Sequence, residues 1–392
     1  MTAYWSSWSM FLYVFMGIIS MWSINGIKKT EYRIQQKVKL SKYYFVVWFV
    51  IWIFITVFRR VDYNIGGSDA IAYVHYFQDC LNSGLNTLYA NHLDEGFQLL
   101  TKAIRLFTAD YHVYFFILYG IIIVAYAVFV NELTPTNIYY EPMVLVFFVY
   151  LRGYTSLRTN LSVAFFMLSA LYLYEKKYIK MIVYGALCLG MHVATFLYVP
   201  FFMFYFLYKK KKPKAWQWGG LYVIVLVGSK FAQKIVMGAT GLRGAYSYYA
   251  SISLDSSFLG NGWKIAFEQL LLMGLLILFR KSIKKCTDSY SEIDKSRYQF
   301  VYLLCAYDFL MIPVNYILGI WRGYEYLYIP RLIMWGILMQ AISKHLDKKS
   351  KKIFRYAMLA AFIVWMVFRL TRTYEDSALM PYLIDLYEES HI

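Results

Sequence analysis

Long apolar runs recur along nearly the whole chain, and short loops rich in lysine and arginine separate them. The hydrocarbon core of a bilayer is about 30 Å thick, which a helix of about 20 apolar residues can cross. Inside lipid, every backbone polar group must be bonded within the protein, so runs of this kind fold as helices that pack side by side. Apolar residues make up 60% of the chain and charged residues 16%, against roughly 50% and 25% in soluble domains. We therefore expect an all-α integral membrane protein.

The runs predict a single membrane domain over residues 1–392, built as a polytopic bundle of about twelve transmembrane helices. The first run has no basic segment before it and no small-residue cleavage site after it, so we expect a retained helix rather than a signal peptide. The predicted helices span about 4–25, 43–59, 112–131, 142–151, 158–174, 180–191, 193–208, 217–237, 264–279, 298–319, 330–344 and 356–370.

The net charge of +17 could indicate nucleic-acid binding, but the positions of the charges argue against it. Most lysines and arginines lie in short loops on one predicted side of the bundle, which is the positive-inside pattern of membrane proteins. The main basic loops are 28–42, 209–214, 280–285 and 344–355. These loops are expected in the cytoplasm, which places both termini outside, together with a mostly acidic tail over 371–392.

The longest predicted outer segment, 59–110, is too long for a passive connection and should contain structure of its own. Ser68 is a suitable N-cap for a short helix over 69–81. A second apolar stripe at helical spacing follows, formed by Phe97, Leu100, Ile104 and Phe107. Both stretches predict amphipathic helices that lie on the membrane surface.

Four arginines are expected near helix ends on the outer face, against the positive-inside bias: Arg152, Arg158, Arg322 and Arg331. Guanidinium groups bind phosphate oxygens in pairs and stay charged in partly apolar surroundings. Each arginine alone could simply extend its charge to the interface and pair with an acid. Four of them on one face, together with His192, favour an anion site, and the expected anion is a pyrophosphate.

Three further candidates each have two interpretations. His192 could be a general base, since an unperturbed imidazole has a pKa of about 6.5, or it could stabilise a helix turn. Asp69 could activate an acceptor hydroxyl or bind sugar, or it could complement a helix dipole. Asp308 lies in a predicted span, where a carboxylate is a functional candidate, but it could equally pair with Arg331.

The sequence contains no motif for a metal or a nucleotide cofactor: no Walker A loop, no GxGxxG, no HExxH and no Asp-x-Asp pair. The cysteines have no CxxC spacing and lie in different segments, at Cys80, Cys188, Cys286 and Cys305. We therefore predict no metal and no cofactor. An enzyme of this kind would use a lipid-carried donor from the outer leaflet.

In five segments the chain resembles the EpsG-like, Wzy-type polysaccharide polymerases. They are GGSDAIAYVHYF (66–77), DEGFQLL (94–100), LRTNLSVA (157–164), MHVATFLYVP (191–200) and IPRLIMW (329–335). The chain departs from such proteins in having Arg-Thr where they usually have Arg-Gln, and Asp94-Glu95-Gly-Phe where they usually have Glu-Pro-Gly-Phe. The resemblance marks Tyr73, Asp94 and Glu95 as candidate substrate-binding residues and leaves open which of the two adjacent acids acts. Asp308 is a further candidate for substrate binding because it is a carboxylate within a predicted span.

The resemblance implies a GT-C-like glycosyltransferase in a bacterial plasma membrane, with its site facing the exterior or periplasm. Such an enzyme polymerises undecaprenyl-pyrophosphate-linked oligosaccharide repeat units for a capsule, an exopolysaccharide or an O-antigen. The donor and the acceptor are then both lipid-linked oligosaccharides. The lipid bilayer is a further partner, a separate chain-length regulator could also bind, and no nucleic acid is expected to take part. With this implied function, Arg158, Arg152 and Arg331 would hold the pyrophosphate, and His192 or Asp69 would take the acceptor proton in a single inverting displacement.

Three other functions compete with this one. A ligase would move finished glycan to a different acceptor. A lipid-linked oligosaccharide flippase would need charged residues along a path open to both faces, whereas the unexplained polar groups here gather on one predicted side. An acyltransferase is disfavoured because His192 lacks the histidine-rich signature of that class.

Overall fold

A computed structural model describes residues 5–33, 39–81, 93–136, 138–210, 215–239, 263–317 and 321–385. These residues form fifteen α-helices and no named strand. The helices of the first half are α1 (Ser7–Arg33), α2 (Lys39–Val57), α3 (Ala70–Asp79), α4 (Glu95–Arg105), α5 (Tyr111–Leu133), α6 (Val144–Leu151), α7 (Leu157–Tyr174) and α8 (Tyr178–Met191). The helices of the second half are α9 (Pro200–Lys210), α10 (Ala215–Ala239), α11 (Trp263–Leu278), α12 (Arg280–Thr287), α13 (Glu292–Ile317), α14 (Tyr328–Ser343) and α15 (Lys348–Ser377).

Within the described residues, four short 3-10 helices connect these elements, and they determine how the chain turns near the candidate site. They are Glu141–Met143, Arg152–Tyr154, Val193–Leu197 and Trp321–Glu325. A 3-10 turn is tighter than an α-turn and commonly forms a short connector. The first two flank α6, which is why this helix has only eight residues.

The core of the bundle is formed by helices that are apolar on every side. All eight residues of α6 are buried, and so are nearly all of those in α14. A helix that is hydrophobic all round must be surrounded by other elements. Helix α6 accordingly packs against α1, α14 and α15, while α7 packs between α5 and α8.

The outer helices expose large apolar side chains, as a lipid-facing surface does. Examples on α1, α2, α8 and α10 are Phe11, Phe54, Ile179 and Ile224. Within the described ranges, three segments are long and apolar enough to cross a membrane, namely Ser7–Ile27, Tyr111–Leu133 and Lys348–Thr373. Shorter apolar helices lie at Tyr43–Val57, Tyr178–Met191, Ala194–Lys209 and Ala266–Leu278. The chain is a helical membrane protein, and the count of twelve spans and the GT-C-like arrangement stay predictions.

Each predicted span corresponds to a helix, but several bounds differ. Helix α1 continues to Arg33, through the first part of the predicted basic loop 28–42, and α13 begins at Glu292 rather than near 298. The span predicted over 193–208 is divided, because α9 begins at Pro200, whose fixed φ and missing N–H suit the first turn of a helix. The last span extends over Lys348–Ser377 and takes in most of a predicted basic loop. The basic stretch from Arg280 forms the short helix α12, which the apolar pattern did not predict.

The segment over 59–110 contains two helices where they were predicted. Ser68 is not the cap of the first one, since the N-cap position of α3 belongs to Asp69. Helix α3 packs on α4 and α5, and α4 packs on α8. The contact with α8 is close because Gly96 faces Gly190, and a Cβ atom on Gly96 would lie 2.7 Å from the Gly190 carbonyl oxygen.

The described end of the chain returns to the first two helices. Asp385 N–H donates to the Phe58 carbonyl at 2.8 Å, and Tyr382 N–H donates to Ser9 Oγ at 2.8 Å. The tail predicted over 371–392 is therefore partly the end of α15 and partly a segment packed on α1 and α2. Residues 386–392 lie outside the described part of the chain. So do residues 240–262, where the sequence predicts an outer loop between the eighth and ninth spans.

Candidate functional site

Helices α7 and α8 form an antiparallel hairpin, and two side-chain hydrogen bonds define its register. Ser169 Oγ donates to the carbonyl of Met181 at 2.7 Å. Ser162 Oγ donates to the carbonyl of Cys188 at 2.8 Å. The two serines are seven positions apart on α7, and the two acceptors are seven positions apart on α8. The register between the two helices is therefore constant along this length.

The same register carries on to the open end of the hairpin and places Arg158 opposite His192. Arg158 precedes Ser162 by four residues, and His192 follows Cys188 by four. Four residues are about one helical turn. Arg158 and His192 therefore lie at the same level, about one turn beyond the hydrogen bond between Ser162 and Cys188.

Three side chains of the preceding segment surround Arg158. Its Nη1 lies 3.1 Å from Asp94 Oδ2, with both side chains about one-fifth exposed. The guanidinium also interacts with the Tyr73 side chain and lies within electrostatic range of Asp69. Glu95 is exposed at the start of α4. Of the two adjacent acids, Asp94 is therefore the one that pairs with Arg158.

A glycine turn holds Asp69 near this guanidinium. Gly66 and Gly67 have φ angles of 79° and 119°, a region that side-chain-bearing residues rarely adopt. Gly67 N–H donates to the Ala378 carbonyl at 3.0 Å, and its α-carbon lies so close to the Tyr154 carbonyl that no Cβ would fit. The backbone before Asp69 is thus attached to both the end of α15 and the 3-10 helix that precedes α7.

His192 ends α8 and begins the 3-10 helix Val193–Leu197. Its backbone is extended, with φ −158° and ψ 126°, so the chain leaves the helical path at this residue. The Nδ1 atom of the imidazole accepts a hydrogen bond from the backbone N–H of Ala194 at 3.0 Å. This bond determines the orientation of the ring.

Below Arg158 and His192 lies a buried cluster of hydroxyl groups. Thr195 Oγ1 lies 2.5 Å from Ser162 Oγ and 2.9 Å from the Tyr326 hydroxyl, which in turn donates to Ser162 at 2.9 Å. The rings of Tyr326 and Tyr198 stack with centroids 4.4 Å apart. The cluster joins the open end of the α7–α8 hairpin to the segment that follows the 3-10 helix Trp321–Glu325.

Three arginines converge on that 3-10 helix. Arg152 Nε lies 3.4 Å from Glu325 Oε1. Arg331 donates to the carbonyl of Tyr324, and Arg369 Nη2 donates to the Tyr324 hydroxyl at 3.2 Å. Arg152 is the most exposed of the three, at 23% of its side chain.

Two ion pairs neutralise the deeper arginines. Arg331 Nε lies 3.2 Å from Asp308 Oδ2, and the opposite oxygen of that carboxylate accepts from Gln269 at 2.9 Å. Arg369 Nη1 lies 3.5 Å from Glu268 Oε2. The pairing of Asp308 with Arg331 is the one that the sequence suggested as an alternative to a functional role.

The structure therefore sorts the predicted site residues into two groups. The first group lies at the open end of the α7–α8 hairpin. Asp69, Tyr73 and Asp94 gather around Arg158, and the hairpin register places His192 at the same level. The second group, around Trp321–Glu325, comprises Arg152, Arg331 and Asp308 together with Glu268, Glu325 and Arg369. The backbone of Arg322 lies in the same 3-10 helix, while its side chain is outside the described part of the structure.

Glu268, Glu325 and Arg369 belong to this second group but were not among the site residues predicted from the sequence. The signal that singled out Asp308, an ionisable side chain within or next to an apolar run, also applies to these three. Within the described ranges, no group of three or more His, Cys, Asp or Glu side chains could hold a metal ion.

The model of the EpsG family matches residues 42–384. The chain belongs to the EpsG family. The match contains both groups of site residues and α2 to α15, apart from the first residues of α2. No curated protein and no solved structure matches the chain. Membership of the EpsG family and the helical bundle make it a polysaccharide polymerase-type membrane protein.

Proposed function

We propose that this EpsG-family chain polymerises undecaprenyl-pyrophosphate-linked oligosaccharide repeat units on the outer face of a bacterial plasma membrane. The observation that carries the proposal is the group around Arg158. It combines a partly exposed guanidinium, which suits a pyrophosphate, with two carboxylates that suit the handling of a hydroxyl proton. These are the two requirements of glycosyl transfer from a lipid-linked donor. The register of the α7–α8 hairpin adds His192 at the same level.

The reaction that we propose is a single displacement at the anomeric carbon of the donor. A hydroxyl oxygen of the acceptor sugar forms the new bond to C1, and the bond from C1 to the phosphate oxygen breaks. The electron pair of that bond leaves with undecaprenyl pyrophosphate, whose growing charge Arg158 stabilises. The hydroxyl proton passes to a side chain of the group, and the configuration at C1 inverts.

The second group has a supporting role in this proposal. Arg331 is 1% exposed and neutralised by Asp308, so we assign it to holding the Tyr324 backbone rather than to substrate. Arg152 is the member of this group that has enough exposure to contact a pyrophosphate or a sugar. The arginines then orient the 3-10 helix Trp321–Glu325, which the hydroxyl cluster connects to the open end of the hairpin.

Replacement of Arg158 tests the proposal in cells that depend on this chain for their surface glycan. Arg158→Gln should reduce polymer synthesis by on the order of 100-fold or more, because a preorganised donor to the developing charge is lost. Arg158→Lys should restore only part of it, since an ammonium cannot bond two oxygens in a fixed plane. The measurement is the ladder of chain lengths on a glycan gel.

Arg60→Gln is the matched control, since Arg60 is a 46% exposed arginine of the same predicted outer segment that pairs with Asp62. It should leave the ladder unchanged. A full ladder in correctly folded Arg158→Gln protein would refute the site. Accumulation of long lipid-linked chains would instead indicate a ligase, and trapping of single units on the inner leaflet would indicate a flippase.

A further inference from the structure

The hydrogen bond between Ala194 and His192 determines which imidazole nitrogen carries the proton. A neutral imidazole has one N–H donor and one bare acceptor nitrogen. Nδ1 of His192 accepts from the backbone N–H of Ala194 at 3.0 Å, so Nδ1 is the bare nitrogen. Nε2 therefore carries the hydrogen, and in this tautomer it can donate but cannot accept.

This arrangement is the reverse of the one that a general-base histidine needs. In the Ser-His-Asp arrangement, Nδ1–H donates to a carboxylate, which leaves Nε2 bare to take a proton and stabilises the imidazolium that forms. If His192 took a proton at Nε2, it would need a hydrogen on Nδ1 as well. That hydrogen would point at the N–H of Ala194, and the bond that orients the ring would be lost.

The hydrogen bonds of the segment after His192 disfavour a flip of the imidazole ring that would move Nδ1 away from Ala194. Thr195, three residues on, donates to the His192 carbonyl at 2.7 Å and also contacts Ser162 and the Tyr326 hydroxyl in the buried cluster. The backbone on the C-terminal side of His192 is thus attached to α7 and to the segment after Trp321–Glu325. The Ala194 N–H stays in place as a donor to Nδ1.

We propose that His192 is a neutral hydrogen-bond donor to the donor pyrophosphate, through Nε2–H, and that the acceptor proton goes to Asp69. This inference rests on the proposed function and assigns the roles within its site. The hairpin register places His192 opposite Arg158, so both can donate to oxygens of one pyrophosphate. Asp94 forms the direct ion pair with Arg158 at 3.1 Å, and Asp69 lies on its glycine turn within electrostatic range of the same guanidinium. We therefore assign Asp94 to orienting Arg158 and Asp69 to accepting the proton.

In this assignment His192 neither gains nor loses a proton. The acceptor hydroxyl gives its proton to the Asp69 carboxylate as its oxygen bonds to C1. Undecaprenyl pyrophosphate leaves with the electron pair of the broken C1–O bond, and hydrogen bonds from His192 and Arg158 lower its charge density. Asp69 then returns the proton to water.

The test compares His192→Gln with His192→Glu, which have nearly the same shape but opposite hydrogen-bonding character. Gln carries a donor where Nε2–H lies, and Glu carries only acceptors. The full chain in detergent is titrated with undecaprenyl pyrophosphate as the probe. We expect Gln to bind within about 3-fold of the wild type, and Glu at least 10-fold more weakly.

His192→Asn is the folding control, because a short amide accepts well from a backbone N–H at this cap position but cannot reach as far as Nε2. It should melt like the wild type and bind the probe as weakly as His192→Ala. Wild-type binding by the Asn, Ala or Glu variant would overturn the inference. So would polymer synthesis by His192→Glu together with its loss in His192→Gln, because that pattern identifies a base.

The Asp69→Asn variant tests the other half of the assignment, the role of Asp69 as the base. It should bind the probe at least as tightly as the wild type, since a negative charge near Arg158 is removed, and it should make no polymer. Normal polymer synthesis by this variant would overturn the assignment of the base. If the wild type failed to bind the probe at all, the proposed function itself would fail, whatever the roles of His192 and Asp69.

Discussion

At the scale of single residues, the buried charges impose the strongest energetic constraint. Asp308 and Arg331 are at most 1% exposed and 3.2 Å apart, on neighbouring helices α13 and α14. Removing one partner of such a pair leaves an uncompensated charge in an apolar interior and costs about 3–5 kcal/mol, whereas replacing both by apolar residues is often neutral. Neither Asp308 nor Arg331 can therefore be replaced alone without a large loss of stability.

We accordingly expect Asp308→Ala to lower the free energy of unfolding by about 3–5 kcal/mol. The double variant Asp308→Leu with Arg331→Met should recover most of this loss, because neither charge then remains. The measurement is thermal unfolding of the detergent-solubilised protein. Removal of Glu292 from its exposed pair with Lys295 is the control and should change the melting temperature little. If the double variant were as unstable as Asp308→Ala, the ion-pair explanation would be wrong.

At the scale of elements, the candidate site depends on how α4 packs against the α7–α8 hairpin. Gly96 and Gly190 let the backbones of α4 and α8 approach closely. This approach is what allows Asp94, just before α4, to reach Arg158 at the start of α7. The two glycines therefore affect the site only by setting the distance between the two helices.

Gly96→Ala should move α4 away from α8, because the new Cβ would lie 2.7 Å from the Gly190 carbonyl oxygen. Overpacking of this kind costs typically 1–3 kcal/mol, and the shift separates Asp94 from Arg158. We expect shorter and fainter glycan ladders at normal protein abundance. Gly274→Ala, in α11, is the matched control, since no atom lies within 4 Å of its would-be Cβ. An unaffected ladder in Gly96→Ala would show that the spacing of these helices does not matter to the site.

At the scale of the whole molecule, the distribution of charge predicts how the bundle sits in the membrane. The basic loops around 209–214, 280–285 and 344–355 share one predicted side, whereas the site residues are predicted to share the other. The orientation matters for function, because a donor carried by an outer-leaflet lipid can be reached from only one of these sides.

Single cysteines can test that orientation, since Cys80, Cys188, Cys286 and Cys305 are free but buried and should react slowly. A membrane-impermeant maleimide added to intact cells should label Tyr63→Cys, at a 66% exposed position of the predicted outer segment. It should label Lys349→Cys, in an exposed part of α15, only after the cells are permeabilised. Labelling in the opposite order would invert the topology and place the site on the cytoplasmic side.

The sequence by itself determined the helical class, the approximate position of each long helix and the family, because apolar periodicity and short motifs are local properties. It also singled out Arg158, His192 and Asp308 by the cost of placing polar groups in apolar runs. The start of α9 at Pro200 was not predicted, because the 3-10 helix before it is as apolar as α9 itself. The whole stretch therefore looks like one apolar helix in the sequence.

Only the tertiary structure decided which partners these residues have. Asp94 rather than Glu95 meets Arg158 because α4 docks on α8 through two glycines far apart in sequence. Arg331 pairs with Asp308 and is withdrawn from the surface, while Arg152 keeps an exposed edge. The tautomer that we propose for His192 follows from the hydrogen bond that the Ala194 N–H donates to Nδ1, and this bond forms where the chain turns into a 3-10 helix. These pairings depend on distances between segments that are far apart in the chain, and local sequence patterns do not predict such distances.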